Sequence, residues 1–213
     1  MDVNKMTKSS ESIIQLNKDK FYGKGTHKKC FIHPQDANLC IKIPYNEGGK
    51  IDLLREIKYL DILKNRNKDY SILPKYYGEV TTSLGTGYVF ELIKDYNDDT
   101  SITLEDVLKN HDLFAKMYST VETLLKYLKC ALFDNEIITM GIFPENIIFQ
   151  KTSSQEYRVR IVNDMGSGVL IPLEYYFSYF AKSKVTRRWS QFINTLRTDY
   201  DSTLINKLIE EIK

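Results

Sequence analysis

The sequence predicts an α+β protein of two unlike halves: a small amino-terminal antiparallel five-stranded sheet lobe with one helix, then a mainly helical carboxy-terminal lobe. Three observations carry this expectation. Short apolar runs separated by turn residues crowd into the chain up to Ile93. Beyond it, apolar residues recur mostly three and four apart, the spacing of one helix face. No internal repeat or low-complexity stretch relates one half to the other. A length of 213 residues suits one large domain or two small lobes, and 42% hydrophobic with 27% charged residues excludes the disordered and fibrous classes. The expected division is a poorly ordered tail over 1–12, a first lobe over 13–94 and a second over 95–213.

In the first lobe, apolar runs at 30–33 and 39–43 flank Pro34-Gln35-Asp36-Ala37-Asn38, which reads as a hairpin. Asn46-Glu47-Gly48-Gly49 reads as flexible. After it, Ile51, Leu54, Ile57, Leu60, Ile62 and Leu63 trace an amphipathic helix over 51–65. Runs at 78–83 and 87–93, split by Leu84-Gly85-Thr86, predict a second hairpin. The acidic segment 95–100 is turn-prone and predicts the connection between lobes, and Thr103 is placed to cap a short helix. Leu113, Met117, Val121, Leu124, Leu125, Leu128 and Leu132 form one stripe, predicting the central helix of the second lobe. Two short strands follow at 147–150 and 158–162, and the remainder reads as helices starting near Pro172 and Asp201.

Thirty basic and 28 acidic side chains leave a formal charge of +2, too little to gather nucleic acid over the whole molecule. Lys182, Lys184, Arg187 and Arg188 beside Trp189 form a local basic cluster that reads either as a phosphate-gripping patch or as a solvated helix face. The absence of any nucleic-acid motif favours the second, so no nucleic-acid partner is expected. The run Tyr175-Tyr176-Phe177-Ser178-Tyr179-Phe180 reads as core more readily than as an interface. Cys30, Cys40 and Cys130 lack metal-ligand spacing and read as reduced thiols. With no apolar secretory segment and no run long enough to span a membrane, a cytoplasmic protein is expected.

The candidate chemistry is spread along the chain. Gly23-Lys24-Gly25 precedes the first hairpin, where glycines let backbone N–H groups approach a phosphate; a simple tight turn is the plainer alternative. Lys42 lies inside an apolar strand, where an ammonium needs a partner, and Glu56 on the following helix can supply it; otherwise Lys42 snorkels from an edge. Gly141-Ile142-Phe143-Pro144-Glu145-Asn146 is followed, 18 residues after Asn146, by Asp164-Met165-Gly166. Asn and Asp oxygens are the hard ligands that magnesium demands.

Taken in order, these segments resemble the nucleotide and metal loops of protein kinases. The resemblance implies a protein-kinase-like fold that binds ATP and Mg2+. Gly23 and Gly25 then lie over the phosphates, Lys42 pairs with Glu56 and reaches them, and Asn146 and Asp164 hold the metal. It also implies that the Glu91 carbonyl and the Ile93 N–H meet adenine, with Phe90 behind it. The pattern departs in that the third loop glycine is Lys28, the catalytic aspartate position is Gly141, and the lysine position after it is Phe143. Loss of a general base costs on the order of 10²–10⁴ in rate without abolishing nucleotide binding.

More specific phrases are similar to the YrbL family, the PhoP regulatory network proteins of bacteria. They are Gly25-Thr26-His27-Lys28-Lys29-Cys30, His33-Pro34-Gln35-Asp36-Ala37, Cys40-Ile41-Lys42-Ile43, Gly85-Thr86-Gly87-Tyr88-Val89, Ser101-Ile102-Thr103-Leu104, Thr139-Met140 and Leu170-Ile171-Pro172-Leu173. The resemblance implies no substrate, and Phe143 stands where a lysine is expected in that family too. Three readings follow. The first is a pseudokinase-type regulator that binds nucleotide and presents a surface to a protein partner. The second is an atypical ATP-dependent phosphotransferase acting on a small molecule or envelope sugar, and the third is a scaffold independent of nucleotide.

Overall fold

A computed structural model describes residues 13–213, so the tail expected over 1–12 lies outside the described residues. The fold is α+β and divides into two units. One takes the described residues up to Gly49 together with Tyr76–Leu92, and the other takes Lys50–Lys75 and Ile93–Lys213.

The first unit is a five-stranded antiparallel sheet, as the sequence predicts. Its strands are β1 (Phe21–Lys24), β2 (Lys28–Ile32), β3 (Leu39–Pro44), β4 (Tyr76–Thr82) and β5 (Gly85–Glu91), in the order β1-β2-β3-β5-β4. Residues alternate between faces, so the register sorts them. Phe31, Ile41, Ile43 and Val89 join Leu16 in one buried apolar cluster. The opposite face carries Cys30, Cys40, Lys42, Tyr88 and Phe90, since Cys30 opposes Lys42, Lys42 opposes Tyr88, and Cys40 opposes Phe90. Strand β3 is thus buried on both faces, which is why Cys40-Ile41-Lys42-Ile43 reads as an unbroken apolar run around one lysine.

The second hairpin is tighter than expected. Its turn is Ser83-Leu84 rather than Leu84-Gly85-Thr86, because Gly85 adopts a φ of +104° and already starts β5. Helix α1 (Glu47–Asn65) also begins earlier than the expected 51. The Asn46 side-chain oxygen accepts the Gly49 N–H at 2.8 Å, which satisfies a first-turn donor and lets the Gly48-Gly49 pair be helical.

In the second unit, Thr103 caps α2 (Leu104–Lys109) in a reciprocal box with Asp106. Helix α3 (His111–Asp134) is capped by Asn110 and buries Phe114, Val121, Leu124, Leu125, Leu128 and Leu132. A three-stranded sheet orders β6 (Ile102–Thr103), β7 (Ile147–Lys151) and β8 (Tyr157–Ile161); β6 is too short to leave a period in the sequence. The chain closes with a 3-10 turn over Leu173–Tyr175, then α4 (Ser178–Asp199) and α5 (Thr203–Ile212). Among the described residues, no helix is long and apolar enough to cross a membrane.

Candidate functional site

In the second unit, the segment between α3 and β7 is laced to the segment after β8. The Met140 N–H donates to the Asp164 carbonyl at 2.6 Å, the Gly166 N–H to the Ile138 carbonyl at 2.8 Å, and the Val162 N–H to the Asn146 carbonyl at 3.0 Å. Asn146 and Asp164, 18 residues apart in sequence, thereby meet: the Asn146 amide donates to Asp164 Oδ2 at 2.8 Å. Asn163 donates to Asn146 Oδ1 at 3.3 Å, and the Asp164 N–H donates to Glu56 Oε1 at 3.1 Å. Glu56 is fully buried and so fixes the aspartate's backbone rather than only solvating its helix face.

Asn163 and Asp164 both take left-handed backbone, with φ of 65° and 55°. Such residues cost on the order of 1–3 kcal/mol each and persist where surrounding bonds over-determine them, characteristically at functional sites. The bonds above are of that kind. Gly166, at φ +90°, cannot carry a side chain: a Cβ there would lie 2.7 Å from the Tyr175 hydroxyl.

Gly141 lies under the Phe143 ring, and a Cβ at Gly141 would meet Phe143 Cε2 and Cζ at 2.4 Å. Phe143 is itself solvent-exposed. The two departures from the kinase pattern are therefore sterically linked, because Phe143 fills the space that a side chain at 141 would enter.

A buried polar cluster after the Asp164 loop escaped sequence reasoning. Lys184 Nζ meets Glu174 Oε1 at 2.6 Å and Ser167 Oγ at 2.7 Å, and Ser167 Oγ donates to Glu174 Oε1 at 2.6 Å. Burial alone would push the Glu174 carboxyl up, but the hydrogen bonds from Lys184 and Ser167 outweigh it and hold the group below its ordinary value. The Ser167 N–H donates to the Tyr175 hydroxyl at 2.5 Å, and the Tyr175 ring stacks on Tyr59 at 5.0 Å. The Tyr59 hydroxyl in turn accepts the Ile138 N–H at 2.7 Å. No spacing rule finds this set, whose members come from five separate segments.

Two expectations need correction here. Lys184, at 7% exposure, belongs to that internal cluster, and Trp189 is buried with its Nε1–H donating to the Ile212 carbonyl at 3.1 Å, so the basic surface patch loses both. The aromatic run is core only at Tyr175. Tyr176, Phe177, Tyr179 and Phe180 are exposed, as are Val169, Leu170 (96%) and Ile171.

The remaining candidates lie in the first unit, Ile93 excepted. Gly23 is in β1, opposite Cys30, and the Gly25 N–H closes the turn to the Lys28 carbonyl at 2.9 Å. The segment is thus a tight hairpin turn. Yet neither glycine has a left-handed φ, and an added Cβ would find nothing closer than the Lys28 oxygen at 3.8 Å. Lys42 is buried and holds its ammonium 4.4 Å from the centre of the Phe90 ring. The Glu91 carbonyl receives a weak contact from Cys40 Sγ at 3.9 Å. Ile93 is buried in the second unit.

Together these features define an α+β protein whose helical unit carries a strained, cross-braced Asn–Asp loop. The chain belongs to the PhoP regulatory network protein YrbL family, whose model matches residues 14–197. It is 38% identical over 183 residues to the protein YrbL of Escherichia coli (strain K12), covering 85% of this chain and 87% of that one, and it matches YrbL of Shigella flexneri to the same extent. It is also similar to isocitrate dehydrogenase kinase/phosphatase 2 of Pseudoalteromonas translucida (strain TAC 125), at 30% identity over 112 residues. That match covers 48% of this chain and 19% of the relative.

Proposed function

We propose that this chain is a protein-kinase-like regulator that binds ATP with Mg2+ and turns it over poorly or not at all. The observation that carries the reading is the Asn146–Asp164 pair on left-handed backbone, braced by Glu56. Magnesium is commonly held by one or two protein oxygens together with nucleotide phosphates and water. Asn146 and Asp164 would hold the ion, whose chemistry is to neutralise phosphate charge.

Lys42 would meet the phosphates as a second, fixed positive charge. Gly23 and Gly25, which the hairpin itself does not require, would admit them to the backbone N–H groups. The Glu91 carbonyl and Ile93 N–H would take adenine, with Phe90 lining its pocket. At Gly141 the chain offers no proton acceptor, so the reading is binding without efficient transfer.

Calorimetric titration with Mg-ATP tests it. Asp164→Ala and Lys42→Ala should each weaken binding by about tenfold or more, as expected for losing one charge-assisted contact. The likeness to a kinase/phosphatase favours a second reading, an atypical phosphotransferase on a small molecule or envelope sugar, which ATP consumption with any such acceptor would establish. The exposed residues at 169–171 and 176–180 favour the third, a scaffold that works without nucleotide.

A further inference from the structure

We propose that Cys30 and Cys40 form a dithiol site that hydrogen peroxide converts into a cross-strand disulfide. The inference does not depend on nucleotide binding. Register places both residues on the sheet face opposite the apolar cluster: Cys30 opposes Lys42 and Ile32 opposes Cys40, so the two cysteines are diagonal neighbours across β2 and β3. Right-handed strand twist draws one of the two possible diagonals together. The two thiols lie close enough to shift each other's titration.

Their environments differ in a way that suits the chemistry. Cys40 is 3% exposed, Cys30 is partly exposed, and both are free thiols. Interaction with the Cys30 thiol and with the nearby Lys42 ammonium holds the Cys40 thiol below its ordinary value, while the same thiol–thiol interaction together with burial pushes Cys30 up. Cys40, whose S–H otherwise faces the Glu91 carbonyl, is therefore the more readily ionised of the two, and Cys30 is the resolving thiol. Peroxide is small enough to reach a mostly covered sulfur.

In the first step the Cys40 thiolate attacks peroxide. An S–O bond forms, the O–O bond breaks, and hydroxide leaves, giving Cys40 sulfenic acid. Cys30 sulfur then attacks Cys40 sulfur, forming the S–S bond and expelling the sulfenic oxygen as water with the Cys30 proton. Two thiols are oxidised and one peroxide is reduced to two waters. Cys130, exposed on α3 and without a neighbouring cysteine in sequence, is an internal reference.

The test exposes the reduced full-length chain to limiting peroxide, alkylates the remaining thiols and maps them by mass. The expected product has lost two hydrogens, carries a Cys30–Cys40 linked peptide that reductant reverses, and forms at least about tenfold faster than Cys130 is modified. Cys30→Ser should instead stop at a trappable sulfenic acid on Cys40, and Cys130→Ser should behave as the wild type. Equal alkylation of Cys30 and Cys40 before and after peroxide would overturn the proposal. So would bridges to Cys130, or a Cys40→Ser chain that consumes peroxide as fast as the wild type.

Discussion

At the scale of single residues, two contacts make sharp predictions. Because the Phe143 ring occupies the space beside Gly141 but is solvent-exposed and can swing aside, Gly141→Asp should destabilise the chain by no more than about 1 kcal/mol. Pairing it with Phe143→Ala should recover part of the loss. A double-mutant cycle in urea would read a coupling above about 0.5 kcal/mol, and strict additivity would show that the two positions are independent. The second contact is the buried Lys184–Glu174 pair. Lys184→Met removes one partner and leaves a buried carboxylate, so it should cost about 3–5 kcal/mol. Since the folded Glu174 carboxyl lies below its ordinary value, its contribution is present above an unfolded value near ~4.3 and is lost as pH falls through the folded one. Unfolding followed from pH 7 down to acid should be steeper in the wild type than in Lys184→Met; parallel curves would remove Glu174 from the account. Neither contact was legible in the sequence, since Lys184 looks like one of four clustered surface cations and Glu174 has no periodic signature. Lys42 was legible, because a lone lysine in an apolar strand contradicts its surroundings.

At the scale of elements, most of the secondary structure was legible where it is written locally. The Thr103–Asp106 box, the α3 stripe and the first hairpin follow from side chains a few residues apart. What failed was the early start of α1, set by the Asn46 cap beside two glycines, the turn at Ser83-Leu84, set by one backbone angle, and strand β6, too short to leave a period. The start of α1 separates propensity from fit. Gly48 has room for a Cβ, with the nearest atom at 3.5 Å, whereas a Cβ on Gly49 would lie 2.2 Å from the His27 carbonyl oxygen. Gly48→Ala should therefore stabilise by up to about 1 kcal/mol. Gly49→Ala should destabilise by about 1–3 kcal/mol despite the same gain in propensity. Thermal unfolding of the two variants should move in opposite directions, and a shared direction would refute the close approach.

At the scale of the whole molecule, the α+β class and the five-stranded antiparallel sheet are those the sequence predicted, most of α1 groups with the helical unit, and family membership rests on a match over residues 14–197. The resemblance to kinase loops pointed to Asn146 and Asp164; the sequence could not show that Glu56 and left-handed backbone at 163 and 164 brace them, because those are facts of a folded loop. The central claim is that this loop serves a nucleotide-bound metal. The most direct measurement is ATP affinity of the wild-type chain in magnesium and in chelator, repeated on Asp164→Ala. The account predicts binding that weakens about tenfold or more when magnesium is removed, and an Asp164→Ala chain whose weaker binding no longer responds to magnesium. Wild-type affinity that is undetectable, or identical with and without the metal, would contradict it.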